Sequence, residues 1–261
     1  MMLQDAMELL DGVRAARAAA GHLLVGLDFD GTLAPIVPLP QDAVLPPATR
    51  PVLERLAARP DTQVALVSGR GLADLVERVG MPGLFYAGNH GLEIEGPGVH
   101  RVHAEAAAAR QRLSRLARRL HDEVGGVEGA IVEDKGLTLS VHYRRVAGEA
   151  GARRVRAAAH ACCEGEAGLR VTDGKMVVEI RPDVDWHKGR ALRFLRETLT
   201  AEYGDTPALF IGDDTTDEDA FRELGAGGWG ILVGSPPPGG TAARAALATT
   251  GDVAAFLGGL A

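Results

Sequence analysis

One short stretch, His22-Leu-Leu-Val-Gly-Leu-Asp-Phe-Asp30, narrows the possible folds of this chain more than any other. Its apolar residues run on without alternation. A half-buried strand alternates apolar and polar positions, so an unbroken run suits a strand buried on both faces. Such a strand needs helices on both sides of a parallel sheet. The flanking sequence supplies them. A helix is predicted from about Gln4 to Ala19, another from about Ala48 to Ala58, and a third near Leu72 to Val79. Between them lie two further apolar strands, Gln63–Val67 and Leu84–Ala87. The order is βαβαβ, the pattern of a parallel sheet with crossover helices.

The rhythm then breaks. From about Val99 to Arg181 the pattern reads helix, strand, strand, helix, strand, strand. The first of these helices carries Leu113, Leu116, Leu120 and Val124 at helical spacing. One hairpin is expected at Ala130–Glu133 with Leu137–Tyr143, the other at Leu169–Thr172 with Met176–Arg181, turning at Asp173-Gly174. After Pro182 the α/β rhythm returns, with a helix from Lys188 to about Thr200, a strand at Ala208–Ile211, a helix near Glu218–Leu224 and a strand at Gly230–Val233. A last helix near Val253–Leu257 is expected to stop at Gly258 and Gly259. The expectation is an α/β core formed by residues 1–97 plus 183–261, interrupted by an α+β insert over residues 98–182. Hinges are expected near Gly96–Gly98 and Pro182–Asp185.

Composition removes several classes of function. The 261 residues are 46% apolar and 24% charged, which excludes general disorder. A net charge of −7 argues against nucleic acid and anionic membrane as partners. No run approaches the roughly 20 apolar residues of a membrane helix. The first residues carry Asp5, Glu8 and Asp11 and no secretory pattern. The only cysteines, Cys162 and Cys163, are adjacent and build no disulfide framework, so a cytoplasmic protein is expected. The arginines Arg110, Arg112, Arg115, Arg118 and Arg119 flank an apolar stripe without interleaved aromatics and read as a solvated helix face. Of 28 basic residues only Lys135, Lys175 and Lys188 are lysine. Lysine kept against such a bias suggests positions where a compact ammonium is wanted.

In open parallel sheets ligands bind beyond the carboxyl ends of the strands. Those ends carry Asp28-Phe-Asp30-Gly31-Thr32, Ser68-Gly69-Arg70 and Gly212-Asp213-Asp214-Thr-Thr-Asp217, with Lys188 at the boundary of insert and core. One rim thus gathers several carboxylates, a hydroxyl and an ammonium. Clustered carboxylates repel and call for a cation. Oxygen-only donors favour Mg²⁺ over zinc or copper. Mg²⁺, a hydroxyl and a lysine together suit a tetrahedral dianion. Asp28 is placed to attack phosphorus, and Asp30 to serve as acid and then base.

These segments occur in the order and strand context of the haloacid dehalogenase-like phosphatases, which the chain therefore resembles. The resemblance implies a Rossmann-like parallel core with an inserted αββαββ cap. It implies that Asp28 is the nucleophile forming an aspartyl phosphate, that Asp30 is the general acid and base, that Ser68 binds phosphoryl oxygens and that Lys188 neutralises charge. It also implies Mg²⁺ held by Asp28, the backbone carbonyl of Asp30, and Asp213, with Asp214 or Asp217 behind. A signalling receiver shares much of this set but has no acid two residues after its phosphoacceptor. A dinucleotide-binding fold is disfavoured because no Gly-x-Gly-x-x-Gly follows the first strand.

A narrower resemblance is to the trehalose-6-phosphate phosphatase family. It rests on Asp28-Phe-Asp-Gly-Thr-Leu-Ala-Pro-Ile36, Val67-Ser-Gly-Arg70, Asn89-His-Gly-Leu-Glu93, Gly174-Lys-Met-Val-Val-Glu-Ile-Arg-Pro182 and Gly212-Asp-Asp-Thr-Thr-Asp-Glu-Asp-Ala-Phe221. Asn89 departs from the glutamate usual there. The resemblance implies that Lys175, Glu179 and Arg181 read sugar hydroxyls, with Arg70, His90 and Gly91 contributing from the core. Lys175 and Glu179, four apart, are expected on one strand face. Lys135 reads as a hairpin-turn residue with no chemistry of its own. The implied substrate is trehalose 6-phosphate, with sucrose phosphate or mannosyl phosphoglycerate as alternatives. A monomer is expected, and functional pairing with a trehalose-phosphate synthase is the partner the resemblance suggests.

Overall fold

A computed structural model describes residues 3–261. In chain order the elements begin with β1 (Gln4–Asp5), α1 (Leu10–Ala20), β2 (Leu23–Leu27), α2 (Arg50–Ala57), β3 (Thr62–Val67), α3 (Leu72–Val79), β4 (Phe85–Gly88), β5 (Glu93–Gly96) and β6 (Val99–Val102). Next come α4 (Ala104–Val124), β7 (Ile131–Asp134), β8 (Leu139–His142), α5 (Gly148–Cys163), β9 (Leu169–Gly174) and β10 (Val177–Pro182). The chain closes with α6 (Lys188–Tyr203), β11 (Ala208–Gly212), α7 (Glu218–Leu224), β12 (Trp229–Val233), β13 (Ala245–Leu247) and α8 (Thr250–Leu260). Two compact units result. One holds the described residues up to Arg101 together with Trp186–Ala261, and the other is Val102–Asp185.

The first unit is built on a nine-stranded sheet in the order β1-β13-β12-β11-β2-β3-β4-β5-β6. Pairing is parallel from β1 through to β4. β5 runs antiparallel to its neighbour β4. Successive strands run outward in opposite directions from β2, so the topological switch point lies at its carboxyl end. β2 is buried along its whole length. Leu23, Val25 and Leu27 pack with α1, α2 and α8 through Val13, Leu53 and Phe256. Leu24 faces the other layer, where α6 and α7 supply Leu192, Leu195 and Phe221. At Gly26 an added Cβ would lie 2.6 Å from the Phe210 ring, so glycine makes room for a large aromatic there. Each fully buried Leu or Phe contributes about 1.5–3 kcal/mol. No helix among the described residues is long and apolar enough to cross a membrane.

The second unit is a four-stranded sheet, β7-β8-β10-β9, with antiparallel pairing throughout. Leu139, Val141, Val178 and Ile180 face α4 and α5 through Leu113, Leu116, Leu120 and Val155. Strand alternation turns Glu133, Ser140, His142, Glu179 and Arg181 to the opposite face.

Several local expectations are overturned. The predicted first helix starts as a 3-10 turn at Ala6–Leu9 and becomes α-helical at Leu10. Before it, Gln4–Asp5 pairs with β13, and the Asp5 carboxylate accepts from the Met7 N–H at 2.9 Å. Residues 93–102 form two strands where the first helix of the insert is expected from about Val99, so Gly96–Gly98 is a strand connection inside the first unit, which ends at Arg101. The last helix runs through Gly258 and Gly259 to Leu260, whose side chain is fully buried. Arg14 donates to the Gly259 carbonyl at 2.8 Å, and Arg17 to that of Leu260 at 2.7 Å. In the second hairpin, Gly174 pairs with Val177, which moves the turn to Lys175-Met176. Lys175 is thus an exposed turn residue and does not share a strand face with Glu179.

Candidate active site

The chain leaves β2 at Asp28, whose N–H still donates to Ile211 O at 2.9 Å. It then folds sharply back. Leu33 and Ala34 both donate to Phe29 O, at 2.9 and 2.8 Å, and Gly31 donates to Ala34 O at 2.7 Å. Phe29 is fully buried and anchors the loop, so Asp28 and Asp30 leave the backbone on either side of it. Gly31 is left-handed (φ +80°), and a Cβ there would collide with the Asp213 carboxylate. Only glycine lets that carboxylate lie against the loop.

Lys188, the first residue of α6, is the cation of the site. Its Nζ lies 2.9 Å from Asp28 Oδ1 and 2.7 Å from Asp217 Oδ1. All three side chains are buried. Asp217 Oδ2 accepts from the N–H groups of Asp213 and Asp214, both at 3.0 Å. Burial alone would lower the proton affinity of Lys188, but Asp217 and Asp28 outweigh it and keep the ammonium charged. Burial raises Asp28 well above the usual carboxylate range; Lys188 opposes this, and Asp217 and Asp213 reinforce it. Burial, helped by Asp217, pushes Asp213 up to about 7.

Asp28, Asp213 and Asp217 each offer an oxygen, all within 4.8 Å of one another. One ammonium therefore faces three acids. Both Asp217 oxygens are already occupied, by Lys188 and by two amides. Among the described residues the Asp213 carboxylate accepts no hydrogen bond. An all-oxygen set with excess negative charge and unused acceptors suits a hard divalent cation. Asp214, expected among the metal residues, is exposed, and its carboxylate accepts from the Thr215 N–H at 2.6 Å. A tight turn sends Asp217 back to the centre, beside Lys188.

Asp30 lies to one side. Arg70 Nε is 2.6 Å from its Oδ2, and Arg70 Nη2 is 2.7 Å from its Oδ1. Arg70 also donates to Asp74 at 2.7 Å and to the Pro40 carbonyl at 2.8 Å. Its fork is spent on the chain's own oxygens. Burial would weaken this cation, but Asp30 and then Asp74 more than compensate, so its proton is held more tightly than usual. Ser68 is buried, and its Oγ accepts from the Arg70 N–H at 3.2 Å.

Beyond β4 the backbone turns left-handed at Asn89 (φ 50°), His90 (φ 58°) and Gly91 (φ 87°). For the two non-glycine residues this costs of order 1–2 kcal/mol each. The Asn89 N–H donates to Arg70 O at 2.6 Å, and the His90 N–H to Ser68 O at 2.8 Å. These bonds bring the His90 ring over Gly69, where an added Cβ would be 2.8 Å from His90 Cε1. The Asn89 side-chain amide donates to Glu93 Oε1 at 2.7 Å.

On the polar face of the second unit, Glu133 and Glu179 flank Ser140 in register. Lys135 Nζ stands 4.0 Å from Glu133 Oε2 and 3.9 Å from Glu179 Oε1, and its side chain is only 10% exposed. His142 Nε2 approaches Glu133 Oε2 at 2.8 Å. Arg181 pairs in register with Arg170 at the end of β10. Lys135, expected to be a turn residue without chemistry, is thus the cation between two acids. The signal in the sequence is its position two residues after Glu133, which puts both on one face.

A sequence profile of the trehalose-phosphatase family matches residues 26–248. A trehalose-phosphate phosphatase of Mycobacterium marinum is 42% identical over 99% of this chain and 66% of its own length. That of Mycobacterium tuberculosis is 42% identical over 97% of this chain and 63% of its own length. The chain therefore spans just under two thirds of the curated relatives it matches. The C-terminal domain of a C. albicans trehalose-6-phosphate phosphatase superposes with a TM-score of 0.78, covering 98% of this chain and 97% of that one. Its identity is 23%, so it establishes the shared fold.

Proposed function

This chain belongs to the trehalose-phosphatase family, and from that premise we propose that it hydrolyses trehalose 6-phosphate to trehalose and phosphate. The observation that carries the reading is the buried Lys188 ammonium, 2.9 Å from Asp28 and 2.7 Å from Asp217 at the switch point of the sheet. An ammonium already braced there can meet a phosphoryl dianion without reorganisation, and such preorganised charge usually supplies most of the rate enhancement.

In the first step an Asp28 oxygen attacks phosphorus while the bond to the sugar oxygen breaks. Asp30 gives that oxygen a proton, so trehalose leaves as the neutral alcohol and Asp28 carries the phosphoryl group. In the second step water attacks the same phosphorus. Asp30 takes a proton from the water, the aspartyl bond breaks, and phosphate leaves with Asp28 restored as a carboxylate. For this, one Asp30 oxygen must leave its hydrogen bond to Arg70 while the other keeps the carboxylate in place. Lys188 steadies charge on the phosphoryl oxygens, and Ser68 donates its hydroxyl to one of them.

Mg²⁺ fits the donor set. Asp28 and Asp213 would hold it, with the Asp30 carbonyl that the family resemblance adds and with Asp217 bracing Asp213 through its amide. When bound it supplies Lewis-acid stabilisation of the phosphoryl oxygens. Asp217 keeps Lys188 and the 213–214 backbone in place whether or not the metal is there. Glu179, Arg181 and Lys135, with the exposed Lys175, would choose the sugar, because polar groups that lose water on binding and stay unpaired penalise the wrong one. Such an enzyme works in the cytoplasm beside the synthase that makes its substrate.

Phosphate release from trehalose, sucrose and glucose 6-phosphates, with Mg²⁺ and with EDTA, tests the reading. Fast release from trehalose 6-phosphate alone, abolished by EDTA, is the expected result. Preference for either other ester would overturn the substrate assignment, and activity undiminished in EDTA would overturn the metal.

A further inference from the structure

The left-handed turn Asn89–Gly91 is strained, buried and set beside Ser68, and such a turn persists only when its surroundings over-determine it. Part of what holds it lies in the core strands: the bonds to Arg70 O and Ser68 O and the link from Asn89 to Glu93. A further bond comes from another part of the chain. Trp186 Nε1 donates to the Gly91 carbonyl at 2.7 Å. The Trp186 ring is covered in turn by the Arg101 guanidinium, 3.9 Å from its centroid, which also lies 5.0 Å from that of Phe194 on α6. A cation over an indole face is the favoured arrangement of this contact. Arg101 Nη1 is buried without a hydrogen-bond partner, so the ring faces are what hold this side chain.

The two residues have a particular place in the chain. Arg101 is the last residue of the first unit before the chain passes into Val102–Asp185, and Trp186 is the first after it returns. Trp186 is also two residues before Lys188. One short segment therefore braces the His90 turn and delivers the ammonium to Asp28.

We infer that Trp186 is a positioning residue for the reaction, acting through the Gly91 carbonyl to hold His90 over Gly69, with Arg101 fixing the indole plane. The effect on turnover rests on the reading that His90 meets the sugar phosphate. The restraint on the turn does not rest on it.

The test compares wild type with Trp186→Phe, which keeps an aromatic ring beneath Arg101 and loses the N–H with the five-membered ring that carries it, and with Arg101→Met, which removes the cation. Hydrogen exchange of amides 89–92 is measured without substrate. Kinetics are measured on trehalose 6-phosphate and on p-nitrophenyl phosphate, a small ester with no sugar. Losing one hydrogen bond should speed exchange in the turn about fivefold in Trp186→Phe, and somewhat less in Arg101→Met. KM for trehalose 6-phosphate should rise by a similar factor, while kcat/KM for the small ester stays within about twofold. Unchanged exchange overturns the inference whatever the substrate. Equal losses on both esters overturn it too, because they mark a structural defect. If wild type cleaves only the small ester, the functional reading falls, and the exchange data still decide the role of Trp186.

Discussion

Arg70 grips both oxygens of the Asp30 carboxylate, Nε to Oδ2 at 2.6 Å and Nη2 to Oδ1 at 2.7 Å. The same fork reaches Asp74 and the Pro40 carbonyl. A lysine presents a point charge and cannot reproduce this geometry. Arg70→Lys should therefore leave the fold intact but misplace Asp30 and the loop at Pro40. A displacement of about 1 Å can cost roughly 10²-fold in rate. The expected result is a kcat loss of about that size with Mg²⁺ affinity unchanged. Near-normal kcat would show that the grip does not position Asp30.

Asp74 joins two arginines, Arg70 at 2.7 Å and Arg78 at 2.7 Å. Burial would raise its pKa, but Arg78 and then Arg70 outweigh that and hold it below the usual carboxylate range. A group with a lowered native pKa adds stability above its unfolded pKa, about 4 for aspartate, and loses it as pH falls through the native value. Asp74→Asn should thus melt below wild type at neutral pH, and the gap should close at the acid end. Melting curves from pH 7 to 2.5 check this. A gap that stayed constant with pH would point to lost packing instead.

Legibility in the sequence depends on how local the cause is. β2, Asp28, Asp213 and Lys188 follow from an apolar run and from residues at strand ends and at the boundary of insert and core, so pattern alone locates them. β1 escapes such a reading because two residues become a strand only by pairing with Ala245 and Ala246, about 240 positions away. That Asp217 and not Asp214 packs against Lys188 depends on a turn that folds one carboxylate back onto two amides, and both residues look alike in sequence. Lys175 and Lys135 exchange their expected places, turn and strand face, for the same kind of reason. A two-residue shift in one hairpin turn exposes the first, and cross-strand register brings Glu179 to the second.

Removing the divalent cation should reveal Asp213. Burial, reinforced by Asp217, raises this carboxyl to about 7, so below that pH it holds a proton that a cation must displace. Mg²⁺ affinity should therefore climb by up to about tenfold per pH unit toward 7 and level off above it, with proton release on binding. The metal-free protein should lose stability as pH rises through about 7, because a raised native pKa favours the protonated fold. Calorimetric titrations in buffers of different ionisation enthalpy read the released proton directly. Release that is absent at pH 6 would remove Asp213 from the cation site.

Glu179 leans on Lys135 at 3.9 Å, with Glu133 on the other side of the same ammonium at 4.0 Å. Lys135→Met should leave two carboxylates facing each other across Ser140. Turnover of trehalose 6-phosphate should then fall about as far as in Glu179→Ala, by roughly tenfold or more, since the two changes disrupt one coupled unit. A small aryl phosphate should be nearly unaffected. A double variant no worse than either single one would establish the coupling, whereas additive losses would separate the two residues.

Lys188 carries the heaviest electrostatic load, because among the described residues its ammonium is the side-chain cation set against Asp28, Asp213 and Asp217. Taking away one partner of a buried ion pair leaves charge without compensation, at a cost of about 3–5 kcal/mol. Lys188→Met should lose stability of that order at pH 8 without divalent cation. At pH 5 the loss should be smaller, since the raised pKa values of Asp28 and Asp213 let a proton take the place of the ammonium. Added Mg²⁺ should recover part of the loss at pH 8 by supplying the missing charge. Lys188→Arg should not repair it, because the space between two Oδ1 atoms at 2.9 and 2.7 Å admits a compact ammonium and not a planar fork. Urea titrations at both pH values, with and without Mg²⁺, separate these cases. A methionine variant as stable as wild type at pH 8 in EDTA would mean that the acids are not ionised together, and the electrostatic basis of the site would have to be abandoned.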